Sequence, residues 1–173
     1  MKNVNAANAI TSLRIIGALA LMFVAPFSKA FFIIYTASGV SDVLDGFVAR
    51  ITKKVSDFGA RLDSVADLLF YAVMTVKIFP VLIERLPVGI WYAVTAVVIV
   101  RLVSYLLAAV KYHRFASLHT KLNKATGLAV FMIPYMLNLS FGPTYCMAAC
   151  TVSAASSLEE LAIHIRNKEY NGR

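Results

Sequence analysis

Charge is scarce in this sequence. Only 15% of its 173 residues are Asp, Glu, Lys or Arg, against roughly 25% in soluble globular proteins, while 60% are hydrophobic. That deficit excludes an ordinary water-soluble domain and makes lipid the main solvent. Cysteine is nearly absent as well. The two present, Cys146 and Cys150, lie four apart in an apolar stretch, a spacing that stacks them on one helix face as packing residues and matches neither a disulfide scaffold nor a zinc framework. No Gly-, Pro- or Ser-rich tract marks a linker and no repeat is visible, so a single domain over 1–173 is expected. Acidic side chains number 9 against 17 Lys and Arg, a net charge of +8. The basic residues are dispersed in small groups between apolar stretches, which speaks against nucleic acid and for membrane topology.

What the chain has is apolar length. Six stretches, about 11–27, 31–50, 59–83, 88–110, 124–140 and 143–165, approach the roughly 20 residues of helix that cross a bilayer core. Short breaks separate them at Pro26 to Lys29, Arg50 to Asp57, Glu84 to Pro87, Lys111 to Lys121 and Ser140 to Pro143. Lys2 and the apolar run from Ile15 resemble a signal peptide, but with further spans downstream they read as a retained first helix. Sorting the breaks by alternate sides puts Lys2, then Arg50, Lys53 and Lys54, then Lys111, Arg114 and Lys121, then Arg166, Lys168 and Arg173 together, and leaves Lys29 and Arg85 opposite. By the positive-inside rule the expected architecture is an all-α, polytopic bundle of six transmembrane helices with both termini cytoplasmic.

All five aspartates fall between residues 42 and 67, at the ends of the second and third stretches and the loop between them. Ionisable groups at such positions cost several kcal/mol unless paired or ligated, so they are functional-site candidates. A helix turns about 100° per residue, which puts Asp42 and Asp45 within roughly 60° of each other and Asp63 and Asp67 within about 40°. Two carboxylate pairs on two helices joined by a short reversal can face each other. Four converging carboxylates repel unless a cation intervenes, and hard divalent ions such as Mg²⁺, Mn²⁺ or Ca²⁺ suit oxygen ligands. Gly46 and Gly59 leave room for a nucleotide or diphosphate against the backbone, Ala49 is small and shares the Asp42/Asp45 face, and Arg50 and Arg61 are planar cations suited to phosphate. The bland alternative is a juxtamembrane network with Arg50, Lys53, Lys54 and Arg61, and for the loop residue Asp57 it is the preferred reading. For the other four it explains neither the invariable choice of aspartate nor the adjacent glycines.

These residues resemble the CDP-alcohol phosphatidyltransferase family. Its pattern D-x2-D-G-x2-A-R-x8-G-x3-D-x3-D is met by Asp42, Asp45, Gly46, Ala49, Arg50, Gly59, Asp63 and Asp67. Upstream, Asn8, Ile10, Thr11 and Arg14 agree with a second pattern, P-N-x-[IL]-T-x2-R, in which Ala7 replaces the proline. The resemblance implies a homodimer of six-helix protomers in a bacterial or archaeal cell membrane, with the site open to the cytoplasm. It implies two divalent ions, Mg²⁺ or Mn²⁺, held chiefly by Asp42, Asp45 and Asp63, with Asp67 as the base for the acceptor hydroxyl and a further metal contact. Gly46, Ala49, Arg50 and Gly59 would line the site of the CDP-diacylglycerol donor, from which the phosphatidyl group passes to an alcohol as CMP leaves.

The acceptor is less constrained. Arg101, a charge inside the fourth stretch, and Lys121 are the acceptor-binding candidates, with Lys111, Arg114 and Lys124 read mainly as topology. Residues 120–127, TKLNKATG, resemble the G-K-x-K-T-x2-Q pattern of phosphatidylglycerolphosphate synthases in their first lysine, and Asn123 resembles cardiolipin synthases. Family frequency and cation supply favour glycerol 3-phosphate, with phosphatidylglycerol, serine and inositol phosphate as alternatives. His113, His119 and His164 read as solvated interfacial side chains. Glu159 and Glu160 are candidates for pairing with Arg14 or Lys124, or for a cavity wall. A cation-coupled transporter would also use buried aspartates, but it gives no reason for the glycine and alanine spacings.

Overall fold

The computed structural model describes residues 6–52, 57–112 and 120–166 and, of these, all side chains but those of 6, 7, 46, 47, 49–52, 57 and 60. Six helices and no strand occur among them: α1 (Ala6–Phe23), α2 (Lys29–Thr52), α3 (Asp57–Arg85), α4 (Val88–Tyr112), α5 (Lys121–Met136) and α6 (Gly142–Arg166). Each predicted stretch coincides with one helix. Arg61–Arg85, Val88–Tyr112 and Gly142–Arg166 are long and apolar enough to cross a bilayer. The outward side chains of α4 include Val98, Ile99, Leu102, Val103, Leu106 and Val110, an apolar exposure that water does not tolerate and lipid does. The protein is an integral membrane protein. Pro80 and Pro134 sit inside α3 and α5, as membrane helices allow.

Two compact units divide the chain, Met1–Glu84 and Arg85–Arg173. In the first, α1 buries Asn8, Thr11, Arg14, Ala18 and Leu21, a three-and-four spacing that forms one stripe. Its upper half is polar. α1 lies against α2, closely enough at Gly17 that a Cβ there would come 2.6 Å from Ser38 Oγ. The turn between them holds Phe27 at φ 62°, an uncommon conformation for a bulky residue, with its ring packed near those of Phe31 and Phe32. Phe31, Tyr35 and Phe70 form a stacked column that joins α2 to α3, with successive centroids 5.7 and 5.5 Å apart. Lys77, inside the α3 span, donates to the carbonyl of Val24 just past the end of α1 at 3.1 Å, where a helix leaves its last carbonyls unpaired.

In the second unit α6 packs against α4 and α5 through a stripe of Gly142, Cys146, Ala149, Ser156, Glu160 and His164. Small side chains there allow close helix approach. Tyr145 Oη donates to the carbonyl of Ala129 on α5 at 2.9 Å. Thr120 caps α5, its hydroxyl accepting from the Asn123 amide at 3.1 Å. Cys146 is buried, Cys150 half-buried, and both are free thiols.

Candidate functional site

Asp42 and Asp45 lie one turn apart on α2, and Asp63 and Asp67 one turn apart on α3. The first unit brings the four together. Asp42, Asp63 and Asp67 each place a carboxylate oxygen within 4.8 Å of the other two. Their side chains are 54%, 45% and 41% exposed, whereas that of Asp45 is 7% exposed. Asp45 stands apart from the trio. Thr11 Oγ1 of α1 donates to its Oδ2 at 2.9 Å.

The cation at this cluster comes from α1. Arg14, whose side chain is 1% exposed, directs Nη1 to Oδ1 of Asp42 and of Asp63, each at 3.1 Å, and to Oδ1 of Asp67. Its Nη2 donates to Asp45 Oδ2, and its Nε approaches Ser41 Oγ at 3.5 Å. A guanidinium suits this position because its planar fork presents several donors at fixed angles. The ion pairs described for these four carboxylates all go to Arg14, and Arg61, a cation of the alternative juxtamembrane network, is exposed. Sequence reasoning placed Arg14 in a motif and offered Glu159 or Glu160 as its partner, not the aspartates. The available signal was the buried spacing of Asn8, Thr11 and Arg14 beside an acidic cluster short of counter-charge.

The donor set fits a hard divalent cation. Three half-exposed carboxylates with oxygens a few ångströms apart supply the ligand type and the access such an ion needs. Of the residues expected to line the donor site, Gly59 lies on α3 two turns before Asp67 and is half-buried. Gly46, Ala49 and Arg50 belong to α2, and their side chains fall outside the described residues, as do Lys53, Lys54, Asp57, His113, Arg114 and His119.

Arg101 and Lys121, the acceptor candidates, belong to the second unit. Arg101 is 24% exposed and already engaged: it donates to Ser157 Oγ at 3.3 Å, Tyr105 Oη at 3.3 Å and Asn123 Oδ1, and pairs with Glu160 at 3.6 Å. Lys121 is exposed at the start of α5. Glu160 therefore pairs with Arg101, which corrects the expectation of Arg14 or Lys124 as its partner. His164 is not a solvated interfacial side chain either. It is 1% exposed, with Nε2 3.9 Å from Glu160 and its ring 5.6 Å from that of Tyr112, because α6 continues to Arg166 and carries position 164 onto the buried stripe.

Comparison with known proteins gives the same direction. The model of the CDP-alcohol phosphatidyltransferase family matches residues 4–158. A relative from Methanocaldococcus jannaschii, described as a CDP-diacylglycerol–serine O-phosphatidyltransferase, is 46% identical over 65 residues. That match covers 37% of this chain and 29% of the relative's length. No solved structure matches the chain.

Proposed function

The chain belongs to the CDP-alcohol phosphatidyltransferase family, and we propose that it transfers the phosphatidyl group of CDP-diacylglycerol to an alcohol, releasing CMP. The observation that carries this reading is the meeting of Asp42, Asp63 and Asp67 from two helices, with oxygens within 4.8 Å of one another. Asp42, Asp45, Asp63 and Asp67 would hold two divalent ions, Mg²⁺ or Mn²⁺. Such ions, when bound, neutralise the donor diphosphate and the charge on departing CMP.

The remaining work falls to the chain's own side chains. Asp67 accepts the proton of the acceptor hydroxyl. The hydroxyl oxygen forms the new P–O bond as the bond to the CMP oxygen breaks. Thr11 fixes one oxygen of Asp45 and so the orientation of that carboxylate. Gly46, Ala49, Arg50 and Gly59 bind the donor's nucleotide and diphosphate. Asp67→Asn keeps the shape and removes the base, so CMP release from CDP-diacylglycerol should fall by about 10²–10⁴-fold, as loss of a general base does. Wild-type rates from the variant would remove Asp67 from this role.

For the acceptor we favour serine over glycerol 3-phosphate. Glycerol 3-phosphate rested on family frequency and on cation supply, and of those cations Arg101 has its charge balanced by Glu160. The relative named for serine adds support. A panel of serine, glycerol 3-phosphate, inositol phosphate and phosphatidylglycerol, each offered with CDP-diacylglycerol and Mn²⁺, decides by the lipid product. Glycerol 3-phosphate as the preferred acceptor would overturn the choice.

The reading includes six spans, a site facing the cytoplasm and a homodimer. α2 extends about 36 Å at 1.5 Å per residue, long enough for a hydrocarbon core of about 30 Å. The basic groups at 50–54, 111–121 and 166–173 support cytoplasmic exposure of the ends that carry them.

A further inference from the structure

We propose that Arg14 is an internal cation that competes with divalent metal for the carboxylate cluster, so that metal binding requires its Nη1 to leave Asp42, Asp63 and Asp67. This rests on the metal reading of the cluster given above. The three carboxylates that converge within 4.8 Å are the same three that turn Oδ1 toward a single nitrogen of Arg14. One nitrogen fills the place a shared ion needs. The nitrogen and an ion cannot share it, because Nη1 already lies against the Oδ1 atoms on which the ion would have to sit.

Without metal, the guanidinium is what makes the cluster tolerable. Four carboxylates beside one buried arginine would otherwise repel or take up protons. The arginine is not lost from the site when displaced. Nη2 is held at Asp45, whose Oδ2 also receives Thr11 at 2.9 Å, so the fork can turn away from the exposed trio while keeping its buried anchor.

The alternative is that Arg14 is a fixed pillar that holds the carboxylates in register. The two roles differ in sign. A competitor lowers the apparent affinity by the fraction of molecules in which the site is open, so its removal tightens metal binding. A pillar lets the carboxylates spread when removed, which weakens it. The experiment is titration of Mn²⁺ into the full-length protein in detergent, followed by the paramagnetic signal of free Mn²⁺, for wild type and Arg14→Gln, with thermal unfolding recorded in chelator and in saturating Mn²⁺. Competition predicts a Kd for Mn²⁺ lower by roughly tenfold or more in the variant, for an open fraction near a tenth. It also predicts that the variant unfolds earlier than wild type in chelator and regains the wild-type temperature in Mn²⁺. An unchanged or weaker Kd, or a deficit that persists in Mn²⁺, overturns the proposal while leaving the enzyme reading intact. If wild type binds no Mn²⁺ at all, both fall. Should Arg14→Gln not fold, Arg14→Met is read instead: it removes the charge and keeps much of the side chain's length, so Mn²⁺ should bind more tightly than to wild type, and equal or weaker binding overturns the proposal.

Discussion

Asp45 is the deepest of the four carboxylates, and Thr11 is one of the two groups that make its burial tolerable. The hydroxyl and the guanidinium of Arg14 meet the same oxygen, so deleting the hydroxyl leaves a charged acceptor short of one donor away from water. Thr11→Val keeps the shape and removes only that bond, at an expected cost of about 1–3 kcal/mol, read as a lower unfolding temperature in detergent. Thr11→Ser should recover most of it. The meeting of Asp42, Asp63 and Asp67 from two helices was legible from spacing alone. Their counter-ion was not, because Arg14 meets Asp45 and Asp67 from 31 and 53 residues away, and periodicity on α1 does not say which later helix its polar stripe will face. His164 was misread for a related reason. A histidine near an apolar stretch's end looks solvated until the helix is known to run two residues past it.

The helices themselves were visible as apolar runs, and their ends were not. α1 begins at Ala6, several residues before the apolar run, because Asn8, Thr11 and Arg14 are polar yet buried; hydropathy discounts such residues while the fold uses them. α5 begins at Lys121, where Thr120 caps it. Between α5 and α6 the chain turns through Gly142, where a Cβ would lie 2.8 Å from Met136 O and 2.9 Å from Leu137 Cα. Backbone atoms cannot yield as a flexible side chain can. Gly142→Ala should therefore destabilise by about 1–3 kcal/mol, as overpacking does. Gly127, with nothing within 4 Å of its would-be Cβ, provides the control: Gly127→Ala should unfold at the wild-type temperature or slightly above, since alanine favours the helix by about 1 kcal/mol. Thermal unfolding of the two variants side by side checks the pair.

At the scale of the whole molecule, the ion pairs among the described residues gather in two places. One is the aspartate cluster of the first unit, and the other is the Arg101–Glu160 pair of the second. A ligand that binds only the folded state adds RT ln(1 + [L]/Kd) to stability, about 2.7 kcal/mol at one hundred times Kd. Mn²⁺ at that excess should raise the unfolding temperature of wild type and leave Asp63→Asn largely unmoved, whereas an equal shift in both would place the ion elsewhere. Membrane residence was readable from composition. The pairing of Arg101 was not, because its partner Glu160 comes 59 positions later in the sequence.

Lys77 bears on how the chain is made. Its ammonium must enter the hydrocarbon with α3, and its acceptor, the Val24 carbonyl, precedes it by 53 residues. Because synthesis runs from the N-terminus, the Val24 carbonyl leaves the ribosome before this lysine does, so an oxygen for the charge exists by the time the third helix enters the lipid. The order of translation thus spares the third helix its most expensive moment of insertion.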